Sequence, residues 1–301
     1  MTDIIIIGAG TAGLTAAIYA RRASKSVLVF ERMSYGGQII NTPSIENYPA
    51  EPNISGFDFA TKLYEQAVSL GAEIVFKEVV GIEDGGEEKH VLTKDGKFPC
   101  KAVIIATGSE SRKLELEGEE KLLGRGISYC ATCDGAFFKG RDVAVVGGGN
   151  TALEDALYLS DIAGTVYLIH RRDGFRGEDA SLKKLKEKDN VEFILNSVVT
   201  KLNYDRTLQS VEVSDLQGNK CEIAVSGLFV AVGRTPNNGF FENVINLDKS
   251  GYADFGEDCV TNTKGVFVAG DNRKKSVRQL VTAAADGAVA ATAAVNYIST
   301  L

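Results

Sequence analysis

The most constraining feature of this sequence is an internal repeat. Residues 4–32, IIIIGAGTAGLTAAIYARRASKSVLVFER, align without a gap on residues 143–171, VAVVGGGNTALEDALYLSDIAGTVYLIHR. Gly8 meets Gly147, Gly10 meets Gly149, Leu14 meets Leu153 and Val27 meets Val166. Each copy runs from an apolar stretch through a Gly-x-Gly turn into an amphipathic helical pattern and a second apolar stretch. That is the pattern of a βαβ unit with two buried parallel strands. Each copy is closed later by a similar phrase, VIIATGS at 103–109 and LFVAVGRTP at 228–236. A further apolar run, VFVAGD at 266–271, leads into a long Ala-rich helical stretch and carries no glycine fingerprint. It is expected to complete the first domain, so that the second is inserted into the first. The crossings are expected near 112–118 and 236–243.

The glycine turns state what such domains hold. A Gly-x-Gly-x-x-Gly corner between strand and helix lets a pyrophosphate lie on the helix N-terminus, where backbone N–H groups and the helix dipole hold it. In the first copy Gly8, Gly10, Thr11, Ala12 and Gly13 form the corner, and Glu31 ends the second strand. A carboxylate there accepts hydrogen bonds from ribose hydroxyls and repels a 2′-phosphate, which suits FAD or NAD. In the second copy Gly147, Gly149, Asn150, Thr151 and Ala152 form the corner, with alanine in place of the third glycine. The position of Glu31 is taken by His170, followed by Arg171, Arg172 and Arg176. That cluster suits the 2′-phosphate of NADP(H). A lone glycine turn is often only a tight corner, and an arginine pair is usually a solvated face. Two in-register copies with opposite charge at one position argue for two dinucleotide sites. The fold class expected is therefore α/β, with two Rossmann-like FAD/NAD(P)-binding domains, and the activity expected is that of a flavoprotein reductase.

Charge and cysteine usage narrow the setting. A net charge of −7 argues against nucleic acid or an anionic membrane as the main partner. The Ala-rich stretch at 283–295 is broken by Asp286 and Thr292, so no transmembrane helix is expected. The start, MTDIIIIGAG, lacks the basic region of a signal peptide. Five cysteines, an odd and sparse set, point to a reducing cytoplasm.

Among those cysteines, Cys130-Ala131-Thr132-Cys133 is the one C-x-x-C motif. A zinc site would need a second ligand pair, and neither a further C-x-x-C nor H-x₃-H is present, so no metal is expected. An inert pair of core cysteines is one reading. A redox dithiol is the other, and it gives a reduced flavin a two-electron acceptor. Asp134 follows directly. It is either an acid that delivers a proton to the leaving sulfur or a turn-former before Gly135.

CATCDG, followed by GGGNTA and HRRDGFR, resembles the low-molecular-weight bacterial thioredoxin reductases. The likeness runs along the whole chain through GAGTAG, ERMSYGGQ, IENYP, ATGS, AVGRTPN, VFVAGD and RQLVTAAADGAVAA. It departs slightly at Ala12, where relatives often carry proline. The resemblance implies an FAD domain at 1–112 and 244–301 and an NADPH domain carrying the dithiol at 113–243. It implies flavin contacts from Gly37, Gln38, Asn47, Ala106, Thr107, Gly108, Asp271, Arg278, Gln279 and Leu280. It further implies that electrons pass from NADPH through FAD to the Cys130–Cys133 pair, with Cys133 facing the flavin and Cys130 attacking thioredoxin. The chain would then be a homodimeric NADPH-dependent thioredoxin-disulfide reductase whose NADPH domain rotates about the two crossings. Three rival readings stand beside it: another redoxin or a peroxidase as partner, ferredoxin as electron donor, or a flavin-binding protein without turnover.

Overall fold

The computed structural model describes residues 1–42, 44–51 and 53–301. The chain begins with β1 (Thr2–Ile7), α1 (Thr11–Arg22), β2 (Val27–Glu31), α2 (Gly56–Ser69) and β3 (Glu73–Phe76). Three longer strands follow, β4 (Val79–Gly85), β5 (Glu88–Thr93) and β6 (Gly96–Ile105), and then the short β7 (Ser109–Ser111). The next stretch comprises β8 (Ile127–Ser128), α3 (Ala131–Asp134), β9 (Val143–Gly147), α4 (Asn150–Ser160), β10 (Val166–Ile169), α5 (Asp179–Lys186) and β11 (Val191–Ile194). It continues with β12 (Ser197–Tyr204), β13 (Leu208–Asp215), β14 (Lys220–Ala224), β15 (Gly227–Ala231) and β16 (Arg234–Pro236). The chain closes with β17 (Val266–Val268) and α6 (Leu280–Ile298).

Two compact units result, Met1–Glu110 with Thr235–Leu301, and Ser111–Arg234. The second is inserted into the first. In the first unit the strands run β3-β2-β1-β6-β5-β4, with β17 also paired to β6. β1, β2, β3, β6 and β17 are parallel to one another, and β4, β5 and β6 form an antiparallel meander. Alternation assigns the two faces of this sheet. Ile4, Ile6, Val27, Val29 and Ile104 pack under α1 and α6. Ile5, Ile7, Phe30, Val103 and Ile105 pack with Ile82, Phe241 and Val244 on the opposite face.

The inserted unit holds a parallel sheet ordered β11-β10-β9-β15-β8 and a separate antiparallel sheet β12-β13-β14. Val143, Val145, Val166 and Leu168 face Leu153, Ala156 and Leu159 of α4. Ala144, Val146, Leu228 and Val230 face Leu202, Val211 and Val213 of the antiparallel sheet. The sequence repeat reappears as a repeat of register. Ile4 pairs with Val27 in the first unit, and the equivalent Val143 pairs with Val166 in the second.

The outgoing β7 and the returning β16 pair as a two-stranded ribbon. On its two sides the Arg112 N–H donates to Gly233 O at 2.9 Å and the Asn237 N–H donates to Gly108 O at 3.1 Å. The return therefore comes earlier than the sequence suggests. Residues 235–243, expected in the inserted domain, lie in the first unit, because Phe241 enters its core and the Asn238 amide donates to Gly251 O and Asn272 O. The Ala-rich α6 packs on α1 rather than spanning a bilayer, and among the described residues no helix is long and apolar enough to cross a membrane.

Candidate functional site

At the end of β1 the chain turns sharply into α1. Gly8 sits at φ +105°, and a Cβ there would lie 2.4 Å from Ala106 O. A Cβ on Gly13 would lie 1.8 Å from Gly8 O, so the first turn of α1 can press directly on the corner. Gly10 occupies the N-cap and offers no side chain to the first amides of α1. Those N–H groups, with the positive end of the helix dipole, are left for an anionic ligand. Glu31 stands across the corner and accepts from the N–H of Ala9 at 2.9 Å and of Met33 at 3.0 Å. Its carboxylate thus braces the turn as well as facing a cavity.

That cavity measures about 320 Å³ and is lined by Gly8, Phe30, Glu31 and Thr107. Lys77, Glu78, Val79, Asn237 and Phe240 complete its wall, none of which the sequence signals. The buried Thr107 hydroxyl has no hydrogen-bond partner. An orphaned polar group beside open helix amides and a carboxylate fits a bound nucleotide. Other expected residues gather in the same unit. Gly37 lies against Gly10. Asn47 donates to Gln279 Oε1 at 3.1 Å, Gln279 is the N-cap of α6, which begins at Leu280, and the Arg278 guanidinium lies 4.4 Å from the centre of the Tyr252 ring. Gln38 is exposed. Asp271 follows Gly270 in the turn after β17.

The second corner repeats the first. Gly149 caps α4 without a side chain, and Ala152 takes the close-packed place of the third glycine. Asn150 accepts from the Glu178 N–H at 2.9 Å, and the Arg176 N–H donates to Gly148 O at 2.7 Å. These bonds draw the 170–178 loop onto the corner, leaving Thr151, Arg171, Arg172 and Arg176 exposed. The exposed guanidiniums fit a phosphate. His170 differs from its expected place among them. It is only 5% exposed, stacks on Phe175 with ring centres 5.1 Å apart and has Nε2 3.2 Å from Gly174 O. Burial, against the Gly174 hydrogen bond and with help from the neighbouring arginines, lowers its pKa, so the ring is neutral at pH 7. The imidazole supports the loop from beneath instead of presenting a charge.

Cys130 and Cys133 form a disulfide, with Cα atoms 5.3 Å apart. Cys130 caps the short α3, and the N–H groups of Cys133 and Asp134 donate back to its carbonyl. Ser128, at the end of β8, organises the segment. Its hydroxyl donates to Asp134 Oδ2 at 2.6 Å and accepts from the Cys130 N–H at 3.0 Å. Asp134 Oδ1 is buried without a partner. Burial raises the pKa of Asp134 above the usual carboxylate value, opposed by the Ser128 hydrogen bond. A carboxyl that resists ionisation next to a disulfide is suited to carry a proton. Two further carboxylates adjoin the segment. Asp155 on α4 accepts from the Ala131 N–H, and burial, reinforced by Glu154, pushes its pKa up to about 7. Glu119 accepts from the Tyr129 hydroxyl at 2.7 Å and the Leu114 N–H at 2.9 Å. Ser128, Glu119 and Asp155 carry no motif, and their proximity to the dithiol comes only from folding.

A disulfide beside a buried acid, on a chain with two nucleotide corners, narrows the comparison with known proteins. The model of the pyridine nucleotide-disulphide oxidoreductases matches residues 2–287. The chain belongs to that family. Among members of this oxidoreductase family, it is 40% identical over 301 residues to the thioredoxin reductase of Bacillus subtilis, covering 99% of this chain and 95% of that one. It is 42% identical over 301 residues to the thioredoxin reductase of Listeria monocytogenes, covering 99% and 94%. The crystal structure of thioredoxin reductase from Streptococcus pyogenes is 40% identical and superposes with a TM-score of 0.94, covering 100% and 99%. The likeness first read from CATCDG and its neighbours thus extends over the whole length. The chain is an oxidoreductase of the thioredoxin reductase type, an α/β protein with two Rossmann-like domains.

Proposed function

We propose that this protein is an NADPH-dependent thioredoxin-disulfide reductase containing FAD, acting as a cytoplasmic homodimer. The observation that carries the proposal is the Cys130–Cys133 disulfide with Asp134 beside it, positioned by Ser128 and kept protonatable by burial. The opposite charges at the two nucleotide corners, Glu31 in one and the exposed arginines in the other, support one FAD site and one NADPH site. FAD and NADPH, when bound, supply the two-electron transfer that opens the disulfide.

The chain's own residues do the rest. The N-terminal amides of α1 and the Thr107 hydroxyl would hold the FAD phosphates and sugar, with Glu31 on a ribose. Gly37, Gln38, Asn47, Ala106, Gly108, Asp271, Arg278, Gln279 and Leu280 would surround the flavin portion. Arg171, Arg172 and Arg176 would hold the 2′-phosphate of NADPH at the corner formed by Gly147, Gly149, Asn150, Thr151 and Ala152. Asp134 gives its proton to the sulfur that leaves when the disulfide opens. Cys130 then attacks one sulfur of the thioredoxin disulfide. A mixed disulfide forms and the other thioredoxin sulfur departs as a thiol. Cys133 attacks Cys130 in turn, which restores the Cys130–Cys133 disulfide and releases reduced thioredoxin.

The test is steady-state reduction of a thioredoxin disulfide by the purified protein, with NADPH, NADH and reduced ferredoxin compared side by side. NADPH is expected to be the best donor. A protein that binds no flavin, or that turns over only with ferredoxin, overturns the proposal.

A further inference from the structure

A buried cluster of charges lies in the first unit, next to the start of α1. Asp286, in the second turn of α6 and 4% exposed, accepts from four donors. They are the Gly270 N–H at 2.9 Å, Arg273 Nε at 2.8 Å, Arg273 Nη2 at 2.8 Å and Lys275 Nζ at 2.9 Å. Arg273 is 1% exposed and also donates to Glu257 Oε2 at 2.8 Å. The Lys275 ammonium lies 4.0 Å from Asp271 Oδ1 as well.

Burying the charges of Asp286, Arg273 and Lys275 is expensive, and well-packed apolar residues would stabilise a fold at least as well. The placement of this cluster gives it a different use. The next residue, Gly287, lies so close to α1 that a Cβ there would meet Ala12 O at 2.2 Å. A Cβ on Gly270 would lie 2.9 Å from the Ala12 side chain. The start of α1, the Gly270–Asp271 turn and α6 therefore converge on Asp286 and Gly287. These are the three pieces proposed to hold FAD. The α1 corner would take the pyrophosphate, and the turn and the N-terminal end of α6 the flavin portion.

We infer that Asp286, with Arg273 and Lys275, is a positioning device that sets the Gly270–Asp271 turn against α1 and α6, so that FAD meets a preformed site. Asp286 bonds the turn's own backbone N–H, and Lys275 bridges from Asp286 to Asp271. Arg273, braced on Glu257, holds the return of the loop. Loss of the anion would leave two buried cations without their shared partner, and the turn would be free to move away from α1. Burial works to raise the pKa of Asp286, but Arg273 and Lys275 hold it below the ordinary value, so the anion persists through the neutral range.

This inference rests on the FAD reading, and the experiment separates the two. FAD is stripped from wild type, Asp286→Asn, Asp286→Glu and Lys275→Met. Each apoprotein is then titrated with FAD by flavin fluorescence and melted with and without FAD. Asp286→Asn is expected to weaken FAD binding at least tenfold and to narrow the gap between apo and holo melting temperatures. Lys275→Met, which leaves the Arg273–Asp286 pair intact, is expected to weaken binding by a smaller factor, and Asp286→Glu to recover part of the loss. A purely architectural role would lower both melting temperatures equally with unchanged FAD affinity, and that result, in Lys275→Met if Asp286→Asn does not fold, overturns the inference alone. Wild-type protein that binds no FAD overturns this inference and the proposed function together.

Discussion

The Ser128 hydroxyl donates to Asp134 Oδ2 across 2.6 Å, and its Oγ accepts from the N–H of Cys130. One side chain thereby ties the candidate acid to the candidate redox cysteine. The bond also sets the acid's strength, because donation to a carboxylate favours its charged form and opposes the effect of burial.

Removing that bond gives the first expectation. Ser128→Ala takes away the interaction that lowers the Asp134 pKa, so the pKa rises further. Turnover that needs protonated Asp134 falls as pH climbs through that pKa, and the falling limb should move to higher pH in the variant. Asp134→Asn should slow thioredoxin reduction by about 10²–10⁴-fold. A pH–rate profile of kcat checks both, and a limb that stays in place in Ser128→Ala shows that Asp134 is not the group being titrated.

Replacing either cysteine separates the two halves of the reaction. Cys130→Ser and Cys133→Ser should each abolish thioredoxin reduction while NADPH still bleaches the visible flavin absorption. Stopped-flow absorbance with and without thioredoxin makes the comparison. Normal thioredoxin turnover in Cys133→Ser would place the exit route elsewhere.

The proposed coenzyme site should respond differently to its exposed arginines and to the buried His170. Arg171→Ala with Arg172→Ala should weaken NADPH about 10–100-fold, since each charge-assisted bond contributes about 1.5–3 kcal/mol before solvent screening. NADH, lacking the 2′-phosphate, should change little. His170→Asn removes a buried, neutral ring beneath the loop and should weaken both coenzymes together. Ratios of kcat/KM for the two coenzymes distinguish the cases.

Asp155 supplies a stability test. Its pKa is raised from 3.8 to about 7, so folding favours the protonated form. That contribution is fully present below about pH 4, is lost as pH rises towards 7, and changes no further above it. Asp155→Asn should match wild type near pH 4 and exceed it at pH 8. The full shift caps the gain at about 4 kcal/mol, and about 1–2 kcal/mol is expected after relaxation and screening. Denaturant unfolding at the two pH values measures it, and a variant less stable at pH 8 would mean that the Ala131 bond outweighs the burial of charge.

The repeat, the two glycine corners and the CATC pair were legible in the chain because each is local. Strand–turn–helix geometry repeats every time the same apolar period meets the same glycine spacing, and Val143 pairs with Val166 as Ile4 pairs with Val27. Glu31 and the arginines could be read because the βαβ unit carries the end of its second strand back to the corner. What depended on distant contacts was not legible. Residues 235–243 joined the first unit because Phe241 and Asn238 found partners there. His170 followed its hydrophobic side into the space under Gly148 and left the charge to its neighbours. Ser128 and Asp155 lie in no motif, Asp286 lies in one that assigns it no part, and their roles arise from burial and from donors brought by other segments. The sequence by itself determined the two nucleotide folds and the disulfide's position, since backbone sterics and apolar period act within a few residues. Tertiary structure alone decided which polar groups lost water, and the loss of water is what sets their charge, their partners and their chemistry.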